Sequence, residues 1–434
     1  MSMKIFILIV ALIPGLAYSQ KTGDQYLSLA IDAERWINTQ EISSNSGRRW
    51  RIAEGDTTTA PNLYSGSAGV VLFYLELFHV TKNQYYLSKA REGADYLVSR
   101  LAYPLNGFDE VGLFTGEAGI CFTLKKVYDS THEEKYKTAW MRSFERLNEH
   151  AQRSVDAVSW RYTDVVYGGA GIGLMLLELG TPEAKKLAIQ TGKGLIDQAQ
   201  NVPDGKRWYM DTSMQKRGYY MPNFSHGTAG VSYFLTKLYQ VTKDKQFLDE
   251  ALAGARHLSS IQNRDGWIYH HDAEDGKDLY YLSWCHGPAG TARLYYALYE
   301  ATKDRSWLEY IKNSANALLK CGIPEKQTPG LWNNVGPCCG TAGVAAFFLE
   351  LYQLFGDKTY LEFAQHLTAD LMGRGTKDAN CIKWLQAEHR RRPELLQAQT
   401  GYMQGAAGIG IWLLQIYEFD RKMNMVTKLP ENPF

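Results

Sequence analysis

Seven times this chain spells Gly-x-Ala-Gly, and each time an apolar run follows. The copies read SGSAGVVLFYLELF, TGEAGICFTLKKVY, YGGAGIGLMLLELG, HGTAGVSYFLTKLY, HGPAGTARLYYALY, CGTAGVAAFFLELY and QGAAGIGIWLLQIY. Their first glycines are Gly66, Gly116, Gly168, Gly227, Gly287, Gly340 and Gly405, so successive spacings are 50, 52, 59, 60, 53 and 65 residues. Recurrence at this period means a repeat architecture, in which each unit buries an apolar face against its neighbours. Several copies continue through a Thr-Lys-Asn/Asp turn into a second helical pattern, as in VTKNQYYLSKAREGADYL and VTKDKQFLDEALAGARHL. The first helix of each pair is apolar nearly all round and should be buried; the second is amphipathic and should face solvent. Strands should be scarce. Seven such hairpins close into an all-α, seven-hairpin α/α toroid, because an open solenoid would leave the inner helices exposed. One large domain is expected, over residues 20–434.

The N-terminus, MSMKIFILIVALIPGLAYSQ, has the layout of a secretory signal peptide. Lys4 precedes an apolar run from Ile5 to Ile13, a Pro14-Gly15 break follows, and small residues flank a cut near Ser19. The run falls short of the roughly 18 apolar residues that a membrane span needs. Residues 1–19 are therefore expected to be removed, and the mature chain to start near Gln20 and work in a periplasm or outside the cell, without stable membrane insertion. The charge balance, 47 basic against 46 acidic residues, argues against nucleic acid as a partner. The chain is expected to act as a monomer.

An exported protein ordinarily pairs its cysteines. Here three of six, Cys285, Cys338 and Cys339, sit at the mouths of two motifs, WCHGPAG and PCCGTAG. Cys121 falls in an apolar run and reads as core, while Cys321 and Cys381 are open between free thiol and disulfide. If each motif opens an inner helix, the residues before the first glycine occupy cap positions: Ser65, Thr115, Tyr167, His226, His286, Cys339 and Gln404. Ser and Thr are ordinary caps, whereas His and Cys are poor ones, so copies four to six mark a site. Helix N-termini favour thiolates. Three thiolates converging from two helix ends suit zinc with a fourth position left open. The competing readings are a Cys285–Cys338 or Cys338–Cys339 disulfide, or a buried cluster without function.

The motifs WCHGPAG, PCCGTAG, SHGTAG and GYMQGAAGIG resemble those of the lanthionine synthetase C-like family. That resemblance covers nearly the whole mature chain. It implies a zinc enzyme on a seven-hairpin toroid, in which a zinc-bound thiol adds to dehydroalanine or dehydrobutyrine to form a thioether. Carried over, Cys285 and Cys338 are zinc ligands, and Cys339 stands where the third ligand is most often histidine. His226 matches the active-site histidine, implied to handle the thiol or α-carbon proton. Asp164 matches an aspartate four residues before its glycine, and His286 stands beside the first cysteine. A basic residue often found shortly before that cysteine is replaced by Tyr281, the nearest upstream cation being Lys277. The implied partners are a peptide or small-thiol substrate.

Three long links should enter the site end. Trp208, Tyr219, Tyr220 and Trp332 are expected to line a groove there, and Arg390–Arg392 to be solvated loop charge. Two rival readings stand beside the thiol-addition one. A carbohydrate-active toroid would use two carboxylates, with Asp164 and Asp211 as candidates. A non-catalytic member would only bind zinc or a peptide.

Overall fold

The computed structural model describes residues 14–105, 107 and 110–434, with side chains from residue 23 onward. Residues 1–13 of the expected leader lie outside the described residues. Helix α1 spans Pro14–Thr39. Six hairpins follow, each with an inner and an outer helix. They are α2 (Ser67–Thr81) with α3 (Gln84–Arg100), α4 (Glu117–Thr131) with α5 (Glu134–His150), and α6 (Gly169–Leu179) with α7 (Pro182–Asp197). After a short helix α8 (Thr212–Arg217) come α9 (Thr228–Thr242) with α10 (Lys245–Ser260), α11 (Pro288–Thr302) with α12 (Ser306–Lys320), and α13 (Thr341–Phe355) with α14 (Lys358–Gly373). Helix α15 (Ala406–Asp420) is the seventh inner helix. The inner helices contact one another in sequence and α15 returns to α2, which closes the ring.

This is the expected α/α toroid, with one difference. The seventh inner helix has no outer helix after it; α1 packs on α15 in that role, burying Tyr26, Leu29, Ala30, Ala33, Trp36 and Ile37. The ring is thus sealed by joining the two ends of the chain. Among the described residues, strands are confined to three two-stranded hairpins and one three-stranded sheet in the links, the longest strand being Cys381–Ala387 in that sheet. The Thr-Lys-Asn/Asp turns work as read. In the first, Thr81 bonds back to the Leu77 carbonyl at 2.6 Å, Lys82 takes the left-handed conformation at φ 57°, and Asn83 caps α3 through the Tyr85 amide.

The cap positions differ from the expectation. At every inner helix the N-cap is the first motif glycine, in extended conformation and with no side-chain cap. The preceding loop curls under the helix start and its carbonyls take up the free amides. Ala68 N–H bonds Pro61 O at 3.2 Å, Ala170 bonds Thr163 O at 3.0 Å, and Ala407 bonds Thr400 O at 3.1 Å. Ser65 and Thr115 are therefore not the caps, and in no copy does the side chain just before the glycine cap the inner helix.

The second motif glycine makes that loop possible. A Cβ at Gly290 would run into the Trp284 carbonyl, and one at Gly408 into the Tyr402 carbonyl. Backbone cannot yield as a flexible side chain would. Gly290→Ala is expected to destabilise the fold by about 3 kcal/mol or more, read as a fall in the denaturant midpoint.

Two residues before each first glycine, with Val165 one residue earlier in the third copy, the backbones join in a ring of hydrogen bonds. Tyr64 N–H bonds Phe114 O at 2.8 Å, Phe114 bonds Val166 O at 3.1 Å, and Val165 bonds Ser225 O at 3.1 Å. Ser225 then bonds Cys285 O, Cys285 bonds Cys338 O, Cys338 bonds Met403 O and Met403 bonds Tyr64 O, each at 2.9 Å. All seven repeats contribute to this annulus, and it fixes the side chains of adjacent copies at one level. At the far end of the ring the C-terminal tail folds under the barrel, with Thr427, Leu429 and Glu431 buried.

Candidate metal centre

Cys285 and Cys338 are consecutive members of the annulus, so their thiols must emerge side by side. Cys339 follows immediately. Cys285 Sγ lies 2.9 Å from Cys339 Sγ, and Cys339 Sγ lies 3.3 Å from Cys338 Sγ. All three sulfurs fall within 4.8 Å of one another. None is in a disulfide. Cys285 and Cys338 are buried, and Cys339 is half-buried.

Without a metal the three thiols cannot all ionise. Burial pushes Cys285 up, with the neighbouring sulfurs adding to it. Cys338 is held well below the usual thiol range by hydrogen bonds from Cys285 and Cys339, with a smaller contribution from Tyr64. One thiolate beside two thiols is a concentrated soft-donor site whose protons a divalent cation would displace. The donor set therefore fits zinc, for which these three cysteines would be the protein ligands.

Outer contacts reach the cluster from the first and seventh repeats. Tyr64 Oη donates to Cys338 Sγ at 3.3 Å, and Gln404 Nε2 donates to Tyr64 Oη at 3.0 Å. Asn334 Nδ2 in turn donates to Gln404 Oε1 at 2.8 Å. Neither Tyr64 nor Gln404 is expected at the site from residue type alone. Tyr64 nonetheless stands two residues before its glycine, in the same register as Cys285 and Cys338.

His226, from the fourth copy, contacts Asp164 through Nδ1 at 2.6 Å. Asp164 is fully buried and also accepts the Tyr167 amide at 3.0 Å. Burial raises its pKa, with His226 opposing the rise. Tyr167 stacks on the far side of His226, ring centroids 5.7 Å apart. His286 lies on the cysteine side, 5.5 Å from His226 between centroids, with Nε2 3.4 Å from Ser225 Oγ. Burial drives the His286 pKa well down, and His270 adds to this. His270 comes from the link before the fifth copy, which carries no repeat signal, and packs 4.3 Å from His286. Burial takes it to about 3, so it is neutral at any working pH.

Arg390 comes near Tyr281, where its charge opposes the rise that burial imposes on the phenol; it lies 4.0 Å from Asp275, while the more exposed Arg391 also pairs with Asp275. These arginines are thus not simply solvated. Of the aromatic residues expected to line a groove, Trp208 and Tyr220 are fully buried core. Trp208 Nε1 bonds the Leu195 carbonyl at 2.7 Å, and Tyr220 meets Thr228 at 2.7 Å. Trp332 packs edge-on against Tyr281 at 5.1 Å, and Tyr219 lies 4.6 Å from the His271 ring. Asp211 caps α8 through the Met214 amide at 2.7 Å, so it and Asp164 are each committed to other partners. Cys121 is core, as expected, and Cys321 and Cys381 are unpaired and half-buried. No described helix is long and apolar enough to cross a membrane.

Comparison with known proteins agrees with this picture. The family described as "Lanthionine synthetase C-like protein" matches residues 57–427. Among curated proteins, glutathione S-transferase LANCL1 of Danio rerio is 24% identical over 306 residues, covering 69% of this chain and 71% of its own. Among solved structures, nisin cyclase superposes with a TM-score of 0.65 at 15% identity, over 94% of this chain and 95% of its own. The GH76 α-mannanase of Bacteroides thetaiotaomicron reaches a TM-score of 0.50 at 11% identity, over 94% of this chain and 99% of its own. The structural likenesses speak to the toroid alone, which serves unlike chemistries. The family match spans all seven motifs, and this chain belongs to the lanthionine synthetase C-like family.

Proposed function

We propose that Cys285, Cys338 and Cys339 hold zinc and that the protein catalyses addition of a thiol to a dehydroamino acid, forming a thioether. The observation that carries this reading is the convergence of three unpaired thiols in a site where His226 is held by the buried Asp164. Zinc held by these three cysteines would acidify a substrate thiol enough to ionise it near neutral pH.

The reaction balances simply. The S–H bond breaks, a C–S bond forms at the β-carbon of the dehydroamino acid, and the proton ends on the α-carbon. With Nδ1 engaged by Asp164, His226 exchanges that proton through Nε2. Asp164 is a positioning residue: it sets the tautomer and orientation of His226. His286, kept neutral by burial, narrows the site between His226 and the thiols and offers hydrogen bonds without adding charge. Arg390, at Tyr281, places positive charge near the substrate carbonyl on which negative charge gathers during addition. The substrate is a peptide or small thiol together with a dehydroalanine or dehydrobutyrine residue. A leader over Met1–Ser19 would put this chemistry outside the cytoplasm, and sequencing the N-terminus of protein recovered from an exporting host should then give Gln20.

The test is to incubate the zinc-loaded protein with a dehydroalanine peptide and glutathione and to follow the peptide mass. One thiol should add per dehydroalanine, well above the protein-free rate. No acceleration with any of several small thiols or cysteine peptides would overturn the enzymatic reading. Tyr64→Phe removes the donor to Cys338 while keeping the ring. It should weaken zinc affinity about tenfold without lowering zinc content at saturation, as a competition titration against a chelator would show.

A further inference from the structure

The inner helices end, at the face opposite the cysteines, in a second group of metal-binding side chains. Glu76 lies in α2 and Glu418 in α15, the two helices that meet where the ring closes, and His79 is one turn after Glu76. Both acids are buried. Glu76 is held in place by the C-terminal tail: it accepts the Val426 amide at 3.1 Å, the Thr427 amide at 2.9 Å and the Thr427 hydroxyl. Glu418 receives no such donor, although it is 1% exposed: the side chain within hydrogen-bond reach of it is the Glu76 carboxylate. Two carboxylates buried against each other are costly and call for a counter-charge or a proton between them. Burial and the nearby Glu76 push Glu418 up to about 9, and Lys82 opposes this only in part.

His79 Nε2 stands 3.9 Å from Glu418 Oε1, too far for a direct hydrogen bond and within the span that two ligands of one ion can bridge at about 2.1 Å each. One donor atom from each of Glu76, His79 and Glu418 lies within 4.8 Å of the others. Both helices also turn their C-terminal ends, the negative ends of their dipoles, toward this point. We propose that Glu76, His79 and Glu418 form a second cation site, for a divalent transition ion of the zinc, manganese or iron class, as two carboxylates and an imidazole prefer. Such an ion would tie the first repeat to the seventh and, through Glu76, anchor the C-terminal tail at Val426 and Thr427. This site is independent of the thiol chemistry.

Cobalt(II) is the probe, because sulfur ligation gives it a charge-transfer absorption that oxygen and nitrogen ligation does not. The full chain carrying Cys285→Ala and Cys338→Ala should bind about one Co2+, without that absorption. Adding Glu418→Gln should abolish this binding. His79→Gln, at a partly exposed position, should weaken it by more than the roughly tenfold that loss of an outer-shell partner costs. A folded double-cysteine variant that binds no cobalt, or binds it equally with and without Glu418→Gln, would overturn the proposal and leave a proton shared between the two acids. Should the double variant not fold, His79→Gln alone decides. Cobalt lost from the single variant with the charge-transfer band intact supports the site, and unchanged cobalt content overturns it.

Discussion

Cys338→Ala is expected to bring thiol addition down to the uncatalysed rate, a loss of about a thousandfold or more. Cys338 is the hinge of the cluster: it faces the other sulfurs, it receives the Tyr64 hydroxyl, and its backbone sits within the annulus between Cys285 and Met403. Its removal leaves two thiols, too few to hold zinc firmly. Cys339→His should behave differently. It restores a nitrogen donor where the family resemblance places a histidine, and activity should stay within about tenfold of the wild type. Cys321→Ser and Cys381→Ser, remote from the cluster, should leave the rate unchanged. The measurement is the initial rate of adduct formation by mass spectrometry, with metal content determined on the same samples.

The second large effect is expected from Asp164→Asn, a loss of about a hundred- to ten-thousandfold in kcat. The amide keeps the volume but presents the wrong partner to His226 Nδ1. Zinc content and KM for the thiol should change little, which separates a fault in positioning from a fault in the metal centre. Unfolding should not explain the loss. Burial raises the Asp164 pKa in the folded chain above its ordinary value, so whatever this group contributes to stability is greatest at low pH and falls as pH rises through the folded pKa. The amide does not ionise and escapes that fall. The variant should therefore be at least as stable as the wild type at neutral pH, with its relative advantage shrinking toward pH 4, as thermal unfolding at the two pH values would show.

The ring was legible because its signal is periodic: seven motifs, each opening a largely apolar helix, admit few other packings. The cysteine cluster was legible because thiols are rare, Cys285 and Cys338 share a register, and Cys339 follows directly. What stayed hidden depends on contacts between segments distant in sequence. The amides at the inner helix starts look as if they need Ser or Thr caps, yet a loop's own carbonyls satisfy them, as Ala170 on Thr163 shows. The seventh outer helix could not be found after α15, because it is α1. Trp208 and Tyr220 looked like groove residues in a polar link but bury their polar atoms against Leu195 and Thr228. Arg390 is more than a hundred residues from Tyr281 in sequence, and nothing local announces that the two meet. Tyr64 is the instructive omission. Reading the column two residues before each glycine, rather than searching for cysteine and histidine, would have placed it beside Cys338.

The most direct test of the central claim is zinc per chain, measured together with the redox state of the six cysteines in the purified protein. We predict about one zinc bound by Cys285, Cys338 and Cys339, all three recovered as free thiols after the metal is removed, and none retained at that site in Cys285→Ala or Cys338→Ala. Zinc-free protein with two of these three sulfurs joined in a disulfide would contradict the account.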